Sequence, residues 1–254
     1  MKWRLIEQKA YSPAMNMAID NSIYESVADK KELPTIRFYK WIPSSISIGA
    51  QQNQKEINLD ACKEHNIGTV RRMTGGRAVF HDKSDFTYSV TANMEIFDRS
   101  IENAYRQVCS WIIDSLKQLG ISAILKNKND VVVNGKKISG NAAKATENGV
   151  YIQHGTLIYD IDFDIMPKVL NISKLLAKER IASVLEYKKA SQNEVYDSLK
   201  NNFTKNKEFK TEEISKHELM RAEDLAETKY NTIILPAGSL TKNKGVCYVE
   251  RTAQ

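Results

Sequence analysis

Residues 71–82 read RRMTGGRAVFHD, a stretch in which three arginines, a glycine pair and a histidine lie between two apolar, strand-like runs. Adjacent glycines let backbone N–H groups converge on an oxyanion because no Cβ stands in the way, and arginine binds phosphate or carboxylate through two parallel hydrogen bonds. The stretch therefore predicts an anion-binding turn. By composition alone the alternative is an ordinary hairpin with basic residues on its solvated face.

Residues 129–142 read NDVVVNGKKISGNA, in which one apolar strand enters an Asn-Gly pair and a second strand leaves it. Asn-Gly is the strongest short hairpin signal, so we expect the strands to pair around Asn134 and Gly135. Lys137 then lies just past the turn, and Gly140 lets the backbone come close to whatever Lys137 contacts. The alternative for Lys137 is a solvated charge on an edge strand.

These two stretches, followed by QHGTL at residues 153–157, resemble the lipoate-protein ligase A and octanoyltransferase superfamily, whose fold is shared with biotin-protein ligases. The resemblance runs from Trp3 to about Tyr230 and includes NMAID at residues 16–20 and IRFY at residues 36–39. Three separated motifs in the same order are more specific than any one of them. They outweigh the reading of residues 71–82 as a plain solvated hairpin.

The pattern of apolar residues predicts an α/β or α+β chain with mixed β-sheets flanked by helices. No G-x-G-x-x-G or G-x-x-x-x-G-K-[ST] motif is present, which argues against a doubly wound nucleotide-binding sheet. Helices are expected after Ser12-Pro13 and at about 58–66, 101–119, 174–188, 193–205 and 216–229. Strands are expected at about 35–41, 45–50, 68–73, 78–81, 85–92, 122–126, 130–134, 136–139 and 149–161.

The resemblance implies that residues 1–254 form a single catalytic domain like that of the biotinyl and lipoyl protein ligases. Residues of about 174–230 would be its C-terminal helices and 231–254 a tail, and the small accessory domain of full-length ligases would be absent. No repeat or low-complexity linker marks a boundary, and the Lys/Glu-rich stretch at 205–218 is the best candidate for a loose segment.

The composition narrows the class of protein. The chain has 254 residues, 42% of them hydrophobic, and no apolar run of about 18 residues or signal peptide, so we expect a cytoplasmic protein without a membrane partner. Three cysteines without a C-x-x-C pair argue against a disulfide framework and a zinc site. The formal charge of +6 suits an acidic ligand or partner, but no aromatic-interleaved basic run points to nucleic acid.

The resemblance implies a lipoate-protein ligase. Such an enzyme uses ATP to form lipoyl-AMP and transfers lipoyl to the ε-amine of a lysine on a lipoyl domain, in a 2-oxoacid dehydrogenase E2 or a glycine-cleavage H protein. Lipoate is then a substrate, and the implied cofactors are ATP and Mg²⁺. Lys137 would be catalytic, stabilising charge on the acyl carbonyl and the α-phosphate, and Asp130 would hold the Mg²⁺.

The same resemblance implies a set of residues that bind the substrate or the acyl-adenylate. His81 and His154 fit an orienting hydrogen-bond donor as well as a direct ligand contact, and their spacing is not that of a metal pair. The predicted binding residues are Arg72, Thr74, Gly75, Gly76, Arg77, Ala78, His81, Asn129, Asp130, Ser139, Gly140, Ala142, His154, Gly155 and Thr156.

The main alternative is an octanoyltransferase, which takes octanoyl from the thioester of acyl carrier protein. The type that this chain resembles in its N-terminal half works through an acyl-cysteine formed in the loop ahead of the lysine hairpin, which needs a reachable thiolate. That loop contains no cysteine here, and Cys62, Cys109 and Cys247 all read as structural. The sequence therefore favours the ligase, while a cysteine-free transferase that uses Lys137 as a base stays open.

The same resemblance also bears on the partners of the protein and on other classes of function. Because short ligases of this kind need a separate accessory subunit for adenylation, such a subunit is expected here beside the apo lipoyl domain or H protein. A non-catalytic module that only holds lipoyl groups is disfavoured because Lys137 is kept within its motif. Biotin ligation is disfavoured because the Gly-Arg-Gly-Arg-type loop is absent.

Overall fold

The computed structural model describes residues 2–146 and 149–231. Its strands are β1 (Lys2–Tyr11), β2 (Thr35–Trp41), β3 (Ser45–Ile48), β4 (Gly68–Arg71), β5 (Val79–His81), β6 (Phe86–Asn93), β7 (Ile124–Lys126), β8 (Asp130–Val133), β9 (Lys136–Ala145), β10 (Val150–Leu157) and β11 (Glu208–Thr211). Its α-helices are α1 (Pro13–Ala28), α2 (Leu59–Glu64), α3 (Ile101–Gln118), α4 (Met166–Val169), α5 (Lys174–Arg180), α6 (Val184–Tyr187), α7 (Gln192–Thr204) and α8 (Lys216–Leu225). Short 3₁₀ turns lie at Gln54–Glu56 and Met94–Phe97, and a π-helical turn at Ala226–Tyr230 follows α8.

Two sheets carry the fold. The larger one has the order β11-β1-β2-β6-β10-β9-β8-β7, in which β1 pairs in parallel with β2 and β11, and the remaining neighbours are antiparallel. The smaller one has the order β4-β3-β5, with β3 parallel to β4 and antiparallel to β5. The expectation of mixed sheets flanked by helices is confirmed.

Apolar side chains cover both faces of the larger sheet. One core joins the sheet to α3 and α7 through residues such as Phe38, Tyr88 and Phe203, and a second core joins it to α1 and α8 through residues such as Ile19, Tyr39 and Leu225. A third core packs α2, α4 and α5 onto the smaller sheet. The central strands β2, β6 and β10 are therefore buried on both faces, although polar residues alternate with apolar ones along β6.

Helix α1 begins where the sequence predicts. The hydroxyl of Ser12 accepts a hydrogen bond from the Met15 amide, and Pro13 occupies the first helical position, where its missing N–H costs nothing. The helix carries Asp20 into the interior, where its carboxylate is only 1% exposed. A charge at that depth requires partners, and they come from the sheet beneath it.

The segment at 205–218 differs from its prediction as a loose stretch. Residues Glu208–Thr211 form β11, which pairs in parallel with β1 from Lys2 to Leu5. All four side chains of β11 are exposed, so the strand is held by backbone hydrogen bonds and has no apolar alternation to reveal it in the sequence. The helical pattern at 174–188 is likewise divided, into α5 and α6. Residues 232–254, most of the predicted tail, lie outside the described residues.

A buried ion pair ties α8 to β1. Both terminal nitrogens of the Arg4 guanidinium donate to the carboxylate of Glu218, at 2.7 and 2.6 Å, and both side chains are almost completely buried. Glu218 also caps its own helix, since its carboxylate accepts from the amide and hydroxyl of Ser215. Burial by itself raises the pKa of Glu218, but Arg4 and Ser215 outweigh it, so the pKa lies below its ordinary value.

Replacement of Glu218 by alanine should destabilise the fold by about 3 kcal/mol, because Arg4 would keep a buried charge with only Glu32, at 3.2 Å, to balance it. Denaturant unfolding of the purified protein measures this change. The exposed pair of Lys9 and Glu213 offers a matched control, and Glu213→Ala should leave the unfolding midpoint nearly unchanged. Equal effects of the two variants would contradict the assignment.

The same pair sets a direction for pH dependence. Because the folded-state pKa of Glu218 is depressed, its contribution to the free energy of unfolding is complete above the unfolded value of 4.5 and is lost as the pH falls through the folded value. The stability difference between the wild type and Glu218→Ala should therefore shrink on acidification below about pH 4.5.

Candidate active site

A cleft of about 600 Å³, counting its open mouth, lies where the smaller sheet meets the central strands of the larger one. The 71–78 stretch and β5 form one wall, and β9 and β10 form the other. The residues that line the cleft are Met17, Tyr39, Trp41, Ser47, Arg72, Gly76, Arg77, Ala78, Val79, His81, Thr87, Asn129, Lys137, Gly140, Asn141, Ala142, His154, Gly155 and Thr156.

The lysine hairpin forms as the sequence predicts. Strands β8 and β9 turn at Asn134 and Gly135, both of which have positive φ, and the pairing shifts register between Val131 and Val132. Just past the turn, the Nζ of Lys137 lies 2.6 Å from the Oδ1 of Asp130. The side chain of Lys137 is 39% exposed to solvent and that of Asp130 is 24% exposed. The lysine is therefore a fixed cation that a ligand can still reach.

Gly140 makes room for that cation. A Cβ at this position would lie 2.5 Å from the Cε and 2.6 Å from the Nζ of Lys137, closer than non-bonded atoms approach. The lysine side chain therefore folds back across its own strand and rests on the bare backbone of Gly140. Any side chain at Gly140 would displace the ammonium, which gives a physical reason for the spacing of Lys137 and Gly140.

The glycine pair is held in place by a close backbone approach. A Cβ on Gly49 would lie 2.0 Å from the carbonyl oxygen of Gly76, so the loop after β4 packs directly against the end of β3. Gly76 has φ +93, a conformation that other residues rarely adopt. The exposed Gly75 has no atom within 4 Å of such a Cβ.

The two arginines that precede the glycines brace the loop. Arg72 donates to the carbonyls of Ser47, Gly75 and Arg77 at 2.9, 2.6 and 2.9 Å. Arg71 donates to the carbonyls of Gly49 and Gln52. Burial lowers the pKa of Arg72 to about 10. Its terminal nitrogens are thus already engaged with carbonyl oxygens, whereas the sequence pattern had suggested that they contact an anion.

Arg77 differs from the other two arginines of the stretch, Arg71 and Arg72. Its side chain is exposed at the cleft and makes no hydrogen bond or ion pair with any residue that the structure describes. Among the three arginines of the 71–78 stretch, Arg77 is therefore the one whose guanidinium is available to an anionic group.

His81 is stacked and buried in the cleft wall. Its ring lies parallel to that of Trp41, with centroids 4.3 Å apart, and its nitrogens bond the hydroxyls of Ser47 at 2.8 Å and Thr156 at 3.0 Å. Burial, reinforced by the nearby charge of Arg72, holds the pKa of His81 well below its ordinary value. The ring is therefore neutral at physiological pH and acts as a hydrogen-bonding group.

His154 joins the glycine loop to the interior. Its Nε2 lies 2.6 Å from the hydroxyl of Thr74, and its Nδ1 lies 3.4 Å from the carboxylate of Asp20. Asp20 also accepts from Arg37 at 2.7 Å. Burial by itself raises the pKa of Asp20, but Arg37 and His154 outweigh it, so the pKa lies below its ordinary value and the carboxylate stays charged.

The structure brings most of the predicted site residues to one cleft. Thr74 and Gly75 belong to the same loop without lining the cleft, Ser139 is buried in β9, and Asp130 reaches the cleft through its contact with Lys137. Their roles in binding and catalysis stay predictions. Sequence reasoning missed the lining residues Met17, Tyr39, Trp41, Ser47, Val79, Thr87 and Asn141, several of which alternate along predicted strands and resemble ordinary core positions.

Neither described cysteine lies in the cleft. Cys62 and Cys109 are buried in cores, and burial raises the pKa of their thiols to about 11 and about 12. Both are therefore protonated thiols at neutral pH and poor nucleophiles. Cys247 lies outside the described residues.

The residues around Asp130 do not form a metal site of the usual kind. Its carboxylate is paired with Lys137, and nowhere in residues 2–146 and 149–231 do three or more His, Cys, Asp or Glu side chains converge. The magnesium role of Asp130 stays a prediction, with no cluster to support it.

In residues 2–146 and 149–231, no helix is long and apolar enough to cross a bilayer.

Comparison with known proteins gives a consistent superfamily. The family model described as "Lipoyl protein ligase A/B catalytic domain" matches residues 12–204. The octanoyltransferase LipM of Brevibacillus brevis is 32% identical over 91% of this chain and 97% of its own, and other relatives at 33–35% identity carry the same name.

Solved structures agree on the fold. A crystal structure of lipoate-protein ligase A bound with ATP is 30% identical, covers 92% of this chain and 97% of its own, and has a TM-score of 0.82. The bi-partite lipoate protein ligase of Thermoplasma acidophilum, described with its E2 lipoyl domain, is 30% identical, covers 91% and 94%, and has a TM-score of 0.81.

The lipoate-protein ligase function predicted from the sequence is contradicted by these relatives. That prediction depended on one feature, the loop ahead of the lysine hairpin, which has no cysteine. Curated relatives that match 76–91% of the chain are named octanoyltransferases, which favours the alternative, an octanoyltransferase. Similarity spread over most of the chain outweighs the absence of one side chain.

The close approach in the glycine loop can be tested by two matched substitutions. Gly49→Ala should destabilise the protein by about 1–3 kcal/mol, because the new methyl group meets a backbone carbonyl that cannot move without the loop. Gly75→Ala places the same methyl group in open space and should leave the free energy of unfolding nearly unchanged. Chemical denaturation measures both, and a Gly49→Ala protein as stable as Gly75→Ala would contradict the packing.

Proposed function

The chain belongs to the lipoyl protein ligase A/B catalytic domain family, and on that premise we propose that it is an octanoyltransferase. Its donor substrate is octanoyl-acyl carrier protein, a thioester, and its acceptor is the ε-amine of a lysine on a lipoyl domain. The observation that carries the proposal is the ammonium of Lys137, which is fixed over Gly140 at the cleft. It is joined by the names of the relatives that match most of the chain, which are octanoyltransferases.

The transfer needs a group that stabilises negative charge on the acyl carbonyl. The acceptor amine attacks the thioester carbonyl carbon, so a C–N bond forms and the carbonyl oxygen becomes an oxyanion. The C–S bond then breaks, and the departing thiolate takes the proton that the amine releases. Lys137 supplies fixed N–H donors to the oxyanion, held in orientation by Asp130 at 2.6 Å.

The cleft also offers an apolar surface for the acyl chain. Met17, Tyr39, Trp41 and Val79 line it beside the polar residues of β9 and β10. An eight-carbon chain is stabilised by burial at roughly 0.8 kcal/mol for each methylene group. These four side chains are the candidates that set the preferred chain length.

A direct transfer fits the described thiols. Cys62 and Cys109 lie in cores away from the cleft and carry raised pKa values, so neither supplies an acyl-cysteine intermediate. With no such thiol among the described residues, the proposal has the acceptor lysine attack the carrier thioester itself. Lys137 takes the role of electrostatic stabiliser in this proposal.

A thioester is already activated, which removes the reason for adenylation. The proposal therefore requires neither ATP and Mg²⁺ nor the accessory subunit that a short ligase would need. Binding of ATP is a property of the similar ligase structure. Asp130 is accounted for by its ion pair with Lys137.

The proposed partners are two proteins. The acceptor is a lipoyl domain of a 2-oxoacid dehydrogenase E2 or an H protein, which the lipoyl domain of the similar archaeal system supports. The formal charge of +6 and the exposed Arg77 beside the cleft suit acidic partners through long-range attraction. A cytoplasmic location, expected from the sequence, is part of the same proposal.

A comparison of donors tests the function. The purified chain is incubated with an apo lipoyl domain and either octanoyl-acyl carrier protein, or octanoate with Mg-ATP, or lipoate with Mg-ATP, and the acceptor is read by intact mass. We expect octanoylation from the carrier thioester and no modification from either free acid. Modification from a free acid and ATP with none from the thioester would overturn the proposal.

The role of Lys137 has a matched control in the next residue. Lys137→Ala should lower kcat for octanoyl transfer by about 10²–10³-fold, the cost of removing one preorganised donor to an oxyanion. Lys136 points away from the cleft and binds Glu186 at 2.9 Å, so Lys136→Ala should retain nearly full activity. Steady-state kinetics with octanoyl-acyl carrier protein measures both, and an active Lys137→Ala enzyme would remove Lys137 from the mechanism.

A further inference from the structure

A chain of buried hydrogen bonds runs along the cleft wall from Trp41 to Arg72. The indole N–H of Trp41 donates to Thr87 at 2.8 Å, and the Thr87 and Thr156 hydroxyls lie 3.1 Å apart. Thr156 contacts the Nδ1 of His81, whose Nε2 contacts the Ser47 hydroxyl. The guanidinium of Arg72 closes the chain at Ser47, at 3.2 Å.

Both ends of this chain are groups that can only donate. Indole and guanidinium nitrogens offer hydrogens and accept none, whereas each hydroxyl offers one hydrogen and a neutral imidazole offers one. Counting only the N–H that Arg72 directs at the Ser47 hydroxyl, the six groups bring six hydrogens to five contacts. One hydroxyl hydrogen is left over, and the three hydroxyls that could carry it, Ser47, Thr87 and Thr156, all line the cleft.

Electrostatics decides the direction of the chain. Arg72 donates to Ser47, and its positive charge disfavours an N–H on the imidazole nitrogen that faces Ser47. The Nε2 of His81 therefore accepts from Ser47, and the Nδ1–H donates to Thr156. The surplus hydrogen is then at the other end of the chain, on Thr156 or on Thr87, which exchange it by one rotation of their hydroxyls.

The strand register brings Thr156 close to the catalytic lysine. Thr156 is paired across β9 and β10 with Gly140, and directly paired residues project to the same face with their Cβ positions about 4.5–5.5 Å apart. The Nζ of Lys137 occupies the space of the missing Gly140 side chain, 2.6 Å from where its Cβ would be. A single oxygen atom can therefore lie within reach of both Lys137 and Thr156.

We propose that Thr156 is a second catalytic residue, whose unspent hydroxyl hydrogen binds the acyl carbonyl oxygen of the thioester together with Lys137. The inference rests on the proposed transferase function and adds to it a neutral donor beside the charged one. His81 is a positioning residue in this arrangement, because its Nδ1–H occupies one acceptor site of Thr156 and leaves the hydroxyl hydrogen to the substrate.

Kinetics of three variants test the role of Thr156. Thr156→Val should lower kcat for octanoyl transfer by about 10–100-fold with a small change in KM, since the hydroxyl acts on charge that develops in the transition state. Thr156→Ser keeps the hydroxyl and should restore most of the rate. Thr91→Val is the matched control, because Thr91 is a buried threonine on β6 whose hydroxyl bonds no described residue and does not line the cleft.

Two kinetic results would overturn the proposal. They are a Thr156→Val enzyme with wild-type kcat, or a Thr156→Ser enzyme as slow as Thr156→Val while both unfold like the wild type. A wild-type chain that is inactive with octanoyl-acyl carrier protein would instead overturn the transferase function.

The placement of the hydrogens has a readout that does not depend on activity. The ¹⁵N chemical shifts of the His81 ring report which nitrogen is protonated, and we expect a neutral ring with the proton on Nδ1. A proton on Nε2 would reverse the chain, move the surplus hydrogen to Ser47 and overturn the assignment to Thr156.

Discussion

The buried carboxylate of Asp20 is the constraint on which the centre of this molecule depends. It enters from α1 and accepts hydrogen bonds from Arg37 and Tyr39 on β2, Ser89 on β6 and, more distantly, His154 on β10. Those are three adjacent strands of the larger sheet. A charge with 1% exposure is tolerated only because all of these donors converge on it, so the helix and the strands have one mutual position that satisfies it.

The cleft inherits its geometry from that centre. His154 extends the network to Thr74, and Arg72 fixes the backbone carbonyls of Gly75 and Arg77. On the opposite wall, the bare backbone of Gly140 carries the side chain of Lys137. The glycines and two of the arginines thus shape the cleft from within, and the ammonium of Lys137 stays partly exposed at its wall.

A ligase and a transferase differ more in how the acyl group is activated than in the site that transfers it. Both reactions end with the attack of a lysine amine on an activated acyl group, and both need a cation beside the acyl carbonyl. They differ in how the acyl group is activated before it reaches the cleft. The shape of the cleft does not distinguish the two kinds of activated group. One missing cysteine therefore does not distinguish the two reactions, whereas relatives that match most of the chain favour the transferase.

The sequence by itself determined the mixed α/β class, the start of α1, the lysine hairpin and three motifs that meet in one cleft, because each depends on local patterns of turn residues and apolar spacing. Strand β11 and the lining residues Trp41 and Thr87 depended on partners distant in the chain, and no local pattern identified them. Only the tertiary structure decided that Arg72 braces a loop and that Lys137 rests on Gly140. The physical reason is that a side chain's role is set by which donors, acceptors and empty spaces surround it, and these come from separate strands.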